Sequence, residues 1–213
     1  MKILGVDEAG RGPVIGPLVI CGAMIEENEV DKLVKLDVKD SKLLTAKKRS
    51  ELFPKIKEIV EYKIIKVEPP EIDEALLSPT LNLNWLEAHK TAEIVNEMKP
   101  DLAIIDCPSP NKAAYLDYLK KLINVKCNFM IEHKAERFPI VAAASILAKV
   151  TRDNEIEDIK KKYGDIGPGY PANPITQKFL KENWDKHPEI FRKTWVTWKD
   201  HAKAKDQMKL KDY

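Results

Sequence analysis

Three acids have the residue types and spacing to do chemistry. Asp7 and Glu8 directly follow a β-prone run, residues 2–6, and Asp106 ends the apolar run 102–105. Clustered carboxylates raise each other's pKa unless a cation compensates their charge. Oxygen ligands without neighbouring His or Cys pairs favour Mg²⁺ or Mn²⁺, and two such ions can promote phosphodiester hydrolysis. Plainer interpretations remain open: a solvated turn for the pair, and a helix N-cap for Asp106.

The elements that must position these acids are short strands. Adjacent residues of a strand point to opposite faces, so Asp7 and Glu8 reach one site only at a strand end or bend. Two glycines and a proline at 10–13 supply a bend, and the run 14–24 completes a predicted hairpin. In α/β sheets, sites form outside the carboxyl ends of the strands, where the acidic strand ends would meet.

The rest of the chain alternates helical and strand-like segments. Thr45 is predicted to cap a helix that runs to Tyr62 and is distorted at Pro54. Further helices are predicted over 26–36, 79–98, 111–123, 142–164, 173–187 and 194–208, and further strands over 63–67 and 125–132. This order predicts an α/β fold, a mixed sheet flanked by helices with a helical C-terminal extension.

Composition excludes several classes of protein. The 213 residues suffice for one well-buried core and a small appendage, and 44% hydrophobic with 33% charged residues is typical of a soluble globular chain. Apolar runs are too short for a membrane span, and no secretory pattern is present. Three scattered cysteines (Cys21, Cys107 and Cys127) indicate buried thiols in a reducing cytoplasm. The net charge of +2 does not exclude nucleic acid, because the local distribution of charge matters more.

Five ordered segments carry a resemblance to a known family. Gly-Val-Asp-Glu-Ala-Gly-Arg-Gly-Pro at 5–13 resembles the opening signature of type 2 ribonucleases H, the ribonuclease HII family. The resemblance continues through 40–45, 104–106, 133–135 together with 142–149, and 167–171. The arrangement is most similar to that of archaeal, single-chain members. It implies a ribonuclease H-like catalytic domain over 1–165, with the extension 166–213 packed on it and contributing to substrate binding.

The resemblance implies four metal-binding carboxylates. Asp7, Glu8 and Asp106 occupy three of the family's positions. The fourth is normally an aspartate, but this chain has Glu136 there and one residue fewer before the next proline. We expect Glu136 to take this role, with Asp153 as the alternative. Together the four acids would hold two Mg²⁺ or Mn²⁺ ions.

The resemblance also implies where a ribonucleotide is recognised. The Gly10-Arg11-Gly12 turn resembles the family's device for recognising the 2′-hydroxyl, the group that separates RNA from DNA. Tyr170 resembles the tyrosine that packs on the sugar at the RNA-to-DNA junction. Without the family, Tyr170 would be interpreted as a loop aromatic packed on the core.

Three polar side chains are predicted to contact phosphates of the duplex. Lys42 resembles a phosphate contact of the family, and Lys149 follows Ser145 by one helical turn. Ser145 is predicted to lie near a helix N-terminus, which can hold a phosphate, although a simple helix cap fits it equally well. For His133, an ordinary polar or packing role is favoured over catalysis.

The C-terminal region leaves two interpretations open. Trp184, Trp195 and Trp198 interleave with lysines, which suits either a nucleic-acid face or tryptophans that pack on a core while the lysines stay in water.

The tail contains Gln207, Leu210 and Tyr213 at the spacing of peptides that bind sliding clamps. A frayed basic terminus is the plainer alternative.

The function that the resemblance implies is endonucleolytic hydrolysis of the RNA strand of RNA–DNA hybrids, including cuts at ribonucleotides embedded in duplex DNA. The products would carry 3′-hydroxyl and 5′-phosphate ends. The role would be the removal of ribonucleotides and RNA primers during replication and repair. The protein would be a cytoplasmic monomer. A junction-resolving nuclease and a hybrid-binding protein disabled by its irregular fourth acid are the alternatives.

Overall fold

A five-stranded mixed sheet organises the computed structural model, which describes residues 1–38 and 41–211, with side chains up to residue 204. The strands are β1 Lys2–Ala9, β2 Leu18–Glu26, β3 Glu61–Val67, β4 Leu102–Asp106 and β5 Asn128–Glu132. Their order across the sheet is β3-β2-β1-β4-β5. Strand β1 is antiparallel to β2 and parallel to β4, which is parallel to β5. The predicted α/β class with a mixed sheet is confirmed.

Eight α-helices accompany the sheet in the described residues. They are α1 Asp31–Lys35, α2 Ala46–Ile59, α3 Pro69–Leu77, α4 Leu83–Met98, α5 Lys112–Leu122, α6 Pro139–Tyr163, α7 Pro174–Asn183 and α8 Val196–Lys211. Short 3₁₀ turns occur at Glu27–Glu29, Ser41–Leu43 and Ala135–Arg137. Of the helices described, none combines the length and the apolar character that crossing a membrane requires.

Local capping signals explain where several helices begin and end. Thr45 accepts a hydrogen bond from the Lys48 amide, and Asn111 and Asn173 cap α5 and α7 in the same way. Gly164 follows α6 with a φ of 91°, a conformation that glycine adopts without strain. These predicted boundaries are confirmed.

Other predicted boundaries were wrong. Strand β2 begins at Leu18 rather than residue 14, because the turn extends further, and helix α3 was not predicted at all. The predicted helix 26–36 is a 3₁₀ turn followed by the short α1. Helix α6 begins at Pro139, three residues before the predicted start; proline suits a first helical turn, where its missing N–H is no loss.

Helices pack on both faces of the sheet around strand β1. On one face, an added Cβ on Gly5 would lie 2.5 Å from the Ile140 carbonyl carbon, so the backbones of β1 and α6 are in direct contact there. On the other face, an added Cβ on Gly22 would meet side chains of α4. Since side chains alternate along a strand, Asp7 lies on the α6 face with Gly5, and Glu8 lies on the α4 face.

The chain divides into two compact units. The first comprises Met1–Ala9, Val19–Lys66 and Leu83–Thr151 and contains the sheet. The second comprises Gly10–Leu18, Val67–Asn82 and Arg152–Tyr213. The predicted division into 1–165 and 166–213 concerns function, so it differs from these two compact units and stays a prediction.

The second unit has its own apolar core. Ile15, Ile166 and Phe191 are fully buried there, and three tryptophans pack against this cluster: Trp184, Trp195 and Trp198. The neighbouring lysines are exposed, namely Lys181, Lys186, Lys193 and Lys199. This is the packing arrangement rather than an aromatic nucleic-acid face.

Candidate active site

Three carboxylates converge at the carboxyl ends of two parallel strands. Asp7 follows Val6 of β1, which pairs with Ile105 of β4, and Asp106 is the next residue of β4. Glu136 comes from the 3₁₀ turn Ala135–Arg137. One carboxylate oxygen from each of Asp7, Asp106 and Glu136 lies within 4.8 Å of the other two. The structure therefore brings together three of the four predicted acids, including Glu136.

Glu8 is placed differently from the other acids. Strand β1 continues to Ala9, so the bend at Gly10 comes two residues after Glu8 rather than at it. Glu8 consequently projects from the opposite face of β1 and is not a member of the three-carboxylate cluster. The expectation that the bend would turn both side chains to one side was wrong, because the strand outlasts its apolar run. Its metal-binding role stays a prediction.

Burial makes the Asp7 carboxylate costly to ionise. The side chain is 5% exposed, and its pKa is raised well above the ordinary aspartate value, first by burial and then by the charge of Glu8, with a smaller contribution from Asp106. Hydrogen bonds from the Ser145 hydroxyl and from the Glu8 amide, 2.8 Å away, oppose this rise. They fix the carboxylate in one orientation while leaving its negative charge largely uncompensated.

Asp106 is held by the turn that carries Glu136. Lys134 adopts a left-handed conformation, with φ of 56°, and the Ala135 amide donates to Asp106 Oδ1 at 3.0 Å. The pKa of Asp106 is raised, first by burial and also by the charge of Glu136, while the Ala135 hydrogen bond and Lys42 lower it. The left-handed turn thus both orients Asp106 and delivers Glu136 beside it.

The 3₁₀ turn Ser41–Leu43 supplies neighbours of the cluster. Ser41 and Ser145 are buried with their hydroxyl oxygens 2.9 Å apart, and Ser145 in turn bonds to Asp7. The Lys42 ammonium lies 3.3 Å from Glu136 Oε1, although most of its side chain is exposed. Arg49 holds this turn by donating to the carbonyls of Ser41 and Leu44, at 2.9 and 2.6 Å.

The remaining predicted contacts of this unit have mixed placements. Ser145 is the seventh residue of α6, so the predicted position near a helix N-terminus was wrong because the helix begins at Pro139. Lys149 is half-buried one turn later. His133 Nδ1 lies 3.2 Å from the Cys107 carbonyl oxygen, and since a carbonyl only accepts, this nitrogen carries a proton. That geometry fits the favoured packing role for His133.

The second unit brings the predicted ribonucleotide-recognition residues together. An added Cβ on Gly12 would lie 3.7 Å from the Tyr170 ring, so the Gly10-Arg11-Gly12 turn and this tyrosine are neighbours. Tyr170 is 40% exposed, and the Arg152 guanidinium lies 5.4 Å from its ring centroid. The partly exposed side chain contradicts the alternative of a loop aromatic packed on the core.

Asp153, the alternative fourth acid, belongs to the second unit. Its Oδ1 lies 3.9 Å from Nη1 of Arg152, and it is not among the clustered carboxylates. Of these two candidates, Glu136 is the one that lies with Asp7 and Asp106, and its role as a metal ligand stays a prediction.

Two buried arginines were missed from the sequence. Arg152 and Arg192 are 2% and 0% exposed and bind loop carbonyls in the second unit. No periodicity marks them; the one available signal is an arginine beside large apolar residues, as in Ile190-Phe191-Arg192. The predicted tail residues Gln207, Leu210 and Tyr213 lie outside the residues whose side chains are described.

The donor set of the cluster fits a hard divalent cation. All three side chains offer carboxylate oxygens, and two of them are buried. Burial first, and then neighbouring negative charge, raises the pKa values of Asp7 and Asp106, and a bound cation would offset both effects. Mg²⁺ and Mn²⁺ prefer such ligands. The fold and this site define a class: metal-dependent nucleases with a ribonuclease H-like mixed sheet.

Comparisons with known proteins place the chain within that class. The Ribonuclease HII family model matches residues 4–198. A Ribonuclease HII of Methanococcus maripaludis is 46% identical over 98% of this chain and 90% of its own length. The crystal structure of ribonuclease H2 from Pyrococcus horikoshii superposes with a TM-score of 0.88 at 42% identity, covering 96% of this chain and 98% of that one. The structure of the RNase HII in a complex with PCNA from Archaeoglobus fulgidus superposes with a TM-score of 0.83 at 39% identity, covering 92% of this chain and 95% of that one.

The chain belongs to the ribonuclease HII family. It is therefore an endonuclease with ribonuclease H activity, and the predicted family resemblance is confirmed.

Proposed function

We propose that this protein hydrolyses the RNA strand of RNA–DNA hybrids and also cuts at single ribonucleotides embedded in duplex DNA. The observation that carries the proposal is the carboxylate cluster formed by Asp7 and Asp106 at neighbouring strand ends and by Glu136 of the adjacent 3₁₀ turn, in a chain of this family. The products are 3′-hydroxyl and 5′-phosphate ends.

Asp7, Asp106 and Glu136, with Glu8 as the fourth ligand, would hold two Mg²⁺ or Mn²⁺ ions. When bound, these ions make a water a stronger nucleophile and neutralise charge on the departing 3′ oxygen. The chain itself supplies orientation: Ser145 and the Glu8 amide fix Asp7, and the Ala135 amide fixes Asp106. Such support keeps ligand oxygens in place without spending binding energy on rearrangement.

Lys42 lies where it could contact a phosphate of the substrate. Its ammonium lies beside Glu136 while most of the side chain is exposed, so it could exchange that carboxylate for a phosphate. Lys149 is the second proposed phosphate contact. Ser145 is buried against Ser41 and Asp7, which favours support of Asp7 over a phosphate contact as its role.

Selection of a ribonucleotide is assigned to the Gly10-Arg11-Gly12 turn and Tyr170. A glycine turn lets backbone groups approach a sugar closely, and a neighbouring ring offers a surface for deoxyribose. A Cβ added to Gly12 would be in van der Waals contact with the Tyr170 ring, and this proximity supports a single recognition surface formed by both.

The test is cleavage of a DNA duplex containing one ribonucleotide, compared with the same duplex made only of DNA and with a four-way junction, each in Mg²⁺ and in Mn²⁺. The parent should cut only the ribonucleotide-containing strand. Asp7→Asn and Glu136→Gln should lose more than about 10²-fold in turnover. Asp158→Asn is the matched control, because this exposed carboxylate pairs with Lys161 on the surface of α6.

The outcomes separate the alternatives. Junction cleavage without ribonucleotide cleavage would favour a resolving enzyme. Tight binding of the hybrid without product would contradict the proposed reaction, and the convergence of Glu136 with Asp7 and Asp106 argues against a disabled site.

The cellular role proposed is removal of ribonucleotides and RNA primers in replication and repair, by a cytoplasmic monomer. The solved complex of PCNA with the RNase HII of Archaeoglobus fulgidus supports a sliding clamp as partner. Deleting residues 207–213 should then abolish binding to a clamp and leave cleavage of short duplexes intact. Unchanged affinity for the clamp would remove this part of the proposal.

A further inference from the structure

A buried arginine from late in the chain binds the Gly10-Arg11-Gly12 turn. Arg192 is 0% exposed, and its guanidinium donates to three carbonyl oxygens of the 10–16 segment. Nη2 lies 2.7 Å from the Gly10 oxygen, Nη1 lies 3.1 Å from the Arg11 oxygen, and Nε lies 3.0 Å from the Gly16 oxygen. The rigid fork of a guanidinium fits one arrangement of these carbonyls.

Trp195 binds the last carbonyl of the turn. Its Nε1 donates to the Gly12 oxygen at 3.1 Å, and the Arg192 guanidinium lies 4.9 Å from its ring. Two side chains, Arg192 and Trp195, thus hold every carbonyl of the turn, and we call this pair the turn brace. The Arg192 amide adds a backbone hydrogen bond to Val14 that ties the brace to the same segment.

The brace determines which way the amides of the turn point. In a trans peptide, the carbonyl and the following N–H point in opposite directions, and the described chain contains no cis bond. Because the Gly10 and Arg11 carbonyls point to Arg192, the N–H groups of Arg11 and Gly12 point away from it. Gly12 lies beside the Tyr170 ring, and its N–H together with the adjacent Arg11 N–H can bind a hydroxyl or phosphate oxygen.

Glycine makes the brace necessary. Gly10 has a φ of 86°, and a turn with two glycines would otherwise sample many conformations, each with the N–H groups in different directions. A donor that must be ordered at the moment of binding contributes less than one held in advance.

We propose that Arg192 and Trp195 are positioning residues that set selectivity for a ribonucleotide, by holding the Arg11 and Gly12 amides towards the sugar. This inference rests on the proposed function of the turn. Weakening the brace should therefore reduce preference for a ribonucleotide-containing duplex while leaving affinity for all-DNA duplex unchanged.

The test compares Trp195→Phe with Trp198→Phe. Both replacements keep an aromatic ring on the second unit's core and remove one indole N–H, but Trp198 donates to the Trp184 carbonyl and not to the turn. Arg192→Lys is a third variant, which keeps the charge and loses the fork. Melting temperatures show whether each variant folds.

Selectivity is the ratio of the Kd for an all-DNA duplex to the Kd for the same duplex with one ribonucleotide, measured in an Asp7→Asn background that prevents cleavage. Trp195→Phe should lower the ratio about 3–10-fold, the effect of one hydrogen bond, and Arg192→Lys about 10-fold or more. In the active protein, the loss should appear in KM rather than kcat. Trp198→Phe should keep the parent ratio.

Equal ratios for Trp195→Phe and Trp198→Phe, with ribonucleotide cleavage by the parent intact, would overturn the positioning role alone. A parent that neither prefers nor cuts the ribonucleotide duplex would overturn the proposed function, and this inference with it.

Discussion

The contact between Gly5 and helix α6 yields a quantitative prediction. Gly5 lies two residues before Asp7, and Ile140 lies four residues after Glu136. A Cβ on Gly5 would lie 2.5 Å from the Ile140 carbonyl carbon and 2.6 Å from the Val141 nitrogen, where ordinary contacts begin at 3.4 Å. In Gly5→Ala, the start of α6 must therefore move by about 0.9 Å, because backbone atoms cannot rotate away as side chains do.

Both stability and activity should respond. Overpacking of this kind costs about 1–3 kcal/mol, and a 2 kcal/mol loss lowers the Tm of a chain this long by about 4–8 °C. The moved segment carries Ser145, which orients Asp7, and directly follows Glu136. A misplacement of about 1 Å in a catalytic arrangement can cost about 10²-fold in rate.

Gly22→Ala is the matched control. This buried strand glycine pairs with Val6 of the same strand as Gly5, but its Cβ would meet side-chain atoms of Ile94, Leu4 and Met98 on the other face. The control should lose stability and keep kcat within about threefold, since no carboxylate of the cluster moves. Thermal melts and kcat on a single-ribonucleotide duplex measure the two effects. Gly5→Ala with parental kcat, or equal loss of kcat in both variants, would refute the reasoning.

Three further predictions concern individual side chains. Burial raises the pKa of Asp7, so ionisation of this carboxyl group destabilises the folded state above the unfolded pKa of about 3.9. Asp7→Asn should therefore raise the Tm of the EDTA-treated protein at pH 7.5. This gain in Tm should disappear as the pH falls towards about 3.5. A variant less stable than the parent at pH 7.5 would contradict this. Glu136→Asp should lower kcat at least about 10-fold although it restores the family's residue type, because the segment is one residue shorter here and the side chain needs its extra methylene to reach the cluster. A parental kcat at saturating Mg²⁺ would show that the length of this side chain does not limit catalysis. Thr176 is fully buried, and Thr176→Val removes its hydrogen bonds to the Ile166 carbonyl and from the Gly169 amide. The variant should lower the free energy of unfolding by about 1–3 kcal/mol and raise KM for the ribonucleotide duplex. Thr176→Ser, which keeps the hydroxyl, should have the stability and the KM of the parent. Urea denaturation and steady-state kinetics test this, and an unchanged KM would count against loop support.

Local signals in the sequence predicted much of the fold. Thr45, Asn111 and Asn173 cap helices because a side-chain oxygen meets amides two or three residues later, an interaction that needs no distant partner. The acidic ends of β1 and β4 were predicted to meet because parallel neighbours align their carboxyl ends. Helix α3 was missed because its short apolar pattern follows two prolines that equally suit a turn.

The placement of the acids required the fold. Glu8 lies on the opposite face from Asp7 because hydrogen bonding to β2 extends β1 to Ala9, past the end of its apolar run. Glu136 enters the cluster because the left-handed turn at Lys134 brings it beside Asp106. Neither the length of a strand nor the aim of such a turn follows from residue spacing, since both depend on partners distant in the chain.

By itself, the sequence determined the chemistry available to this protein: carboxylates for hard cations, a glycine turn for close approach to a sugar, and the family to which these patterns belong. Only the tertiary structure decided which side chains act together. Arg192, for example, binds the carbonyls of Gly10 and Arg11, which lie 182 and 181 residues earlier in the chain. The physical reason is that residue type limits what a group can bind, whereas burial and packing across distant segments decide which groups are close enough to bind it.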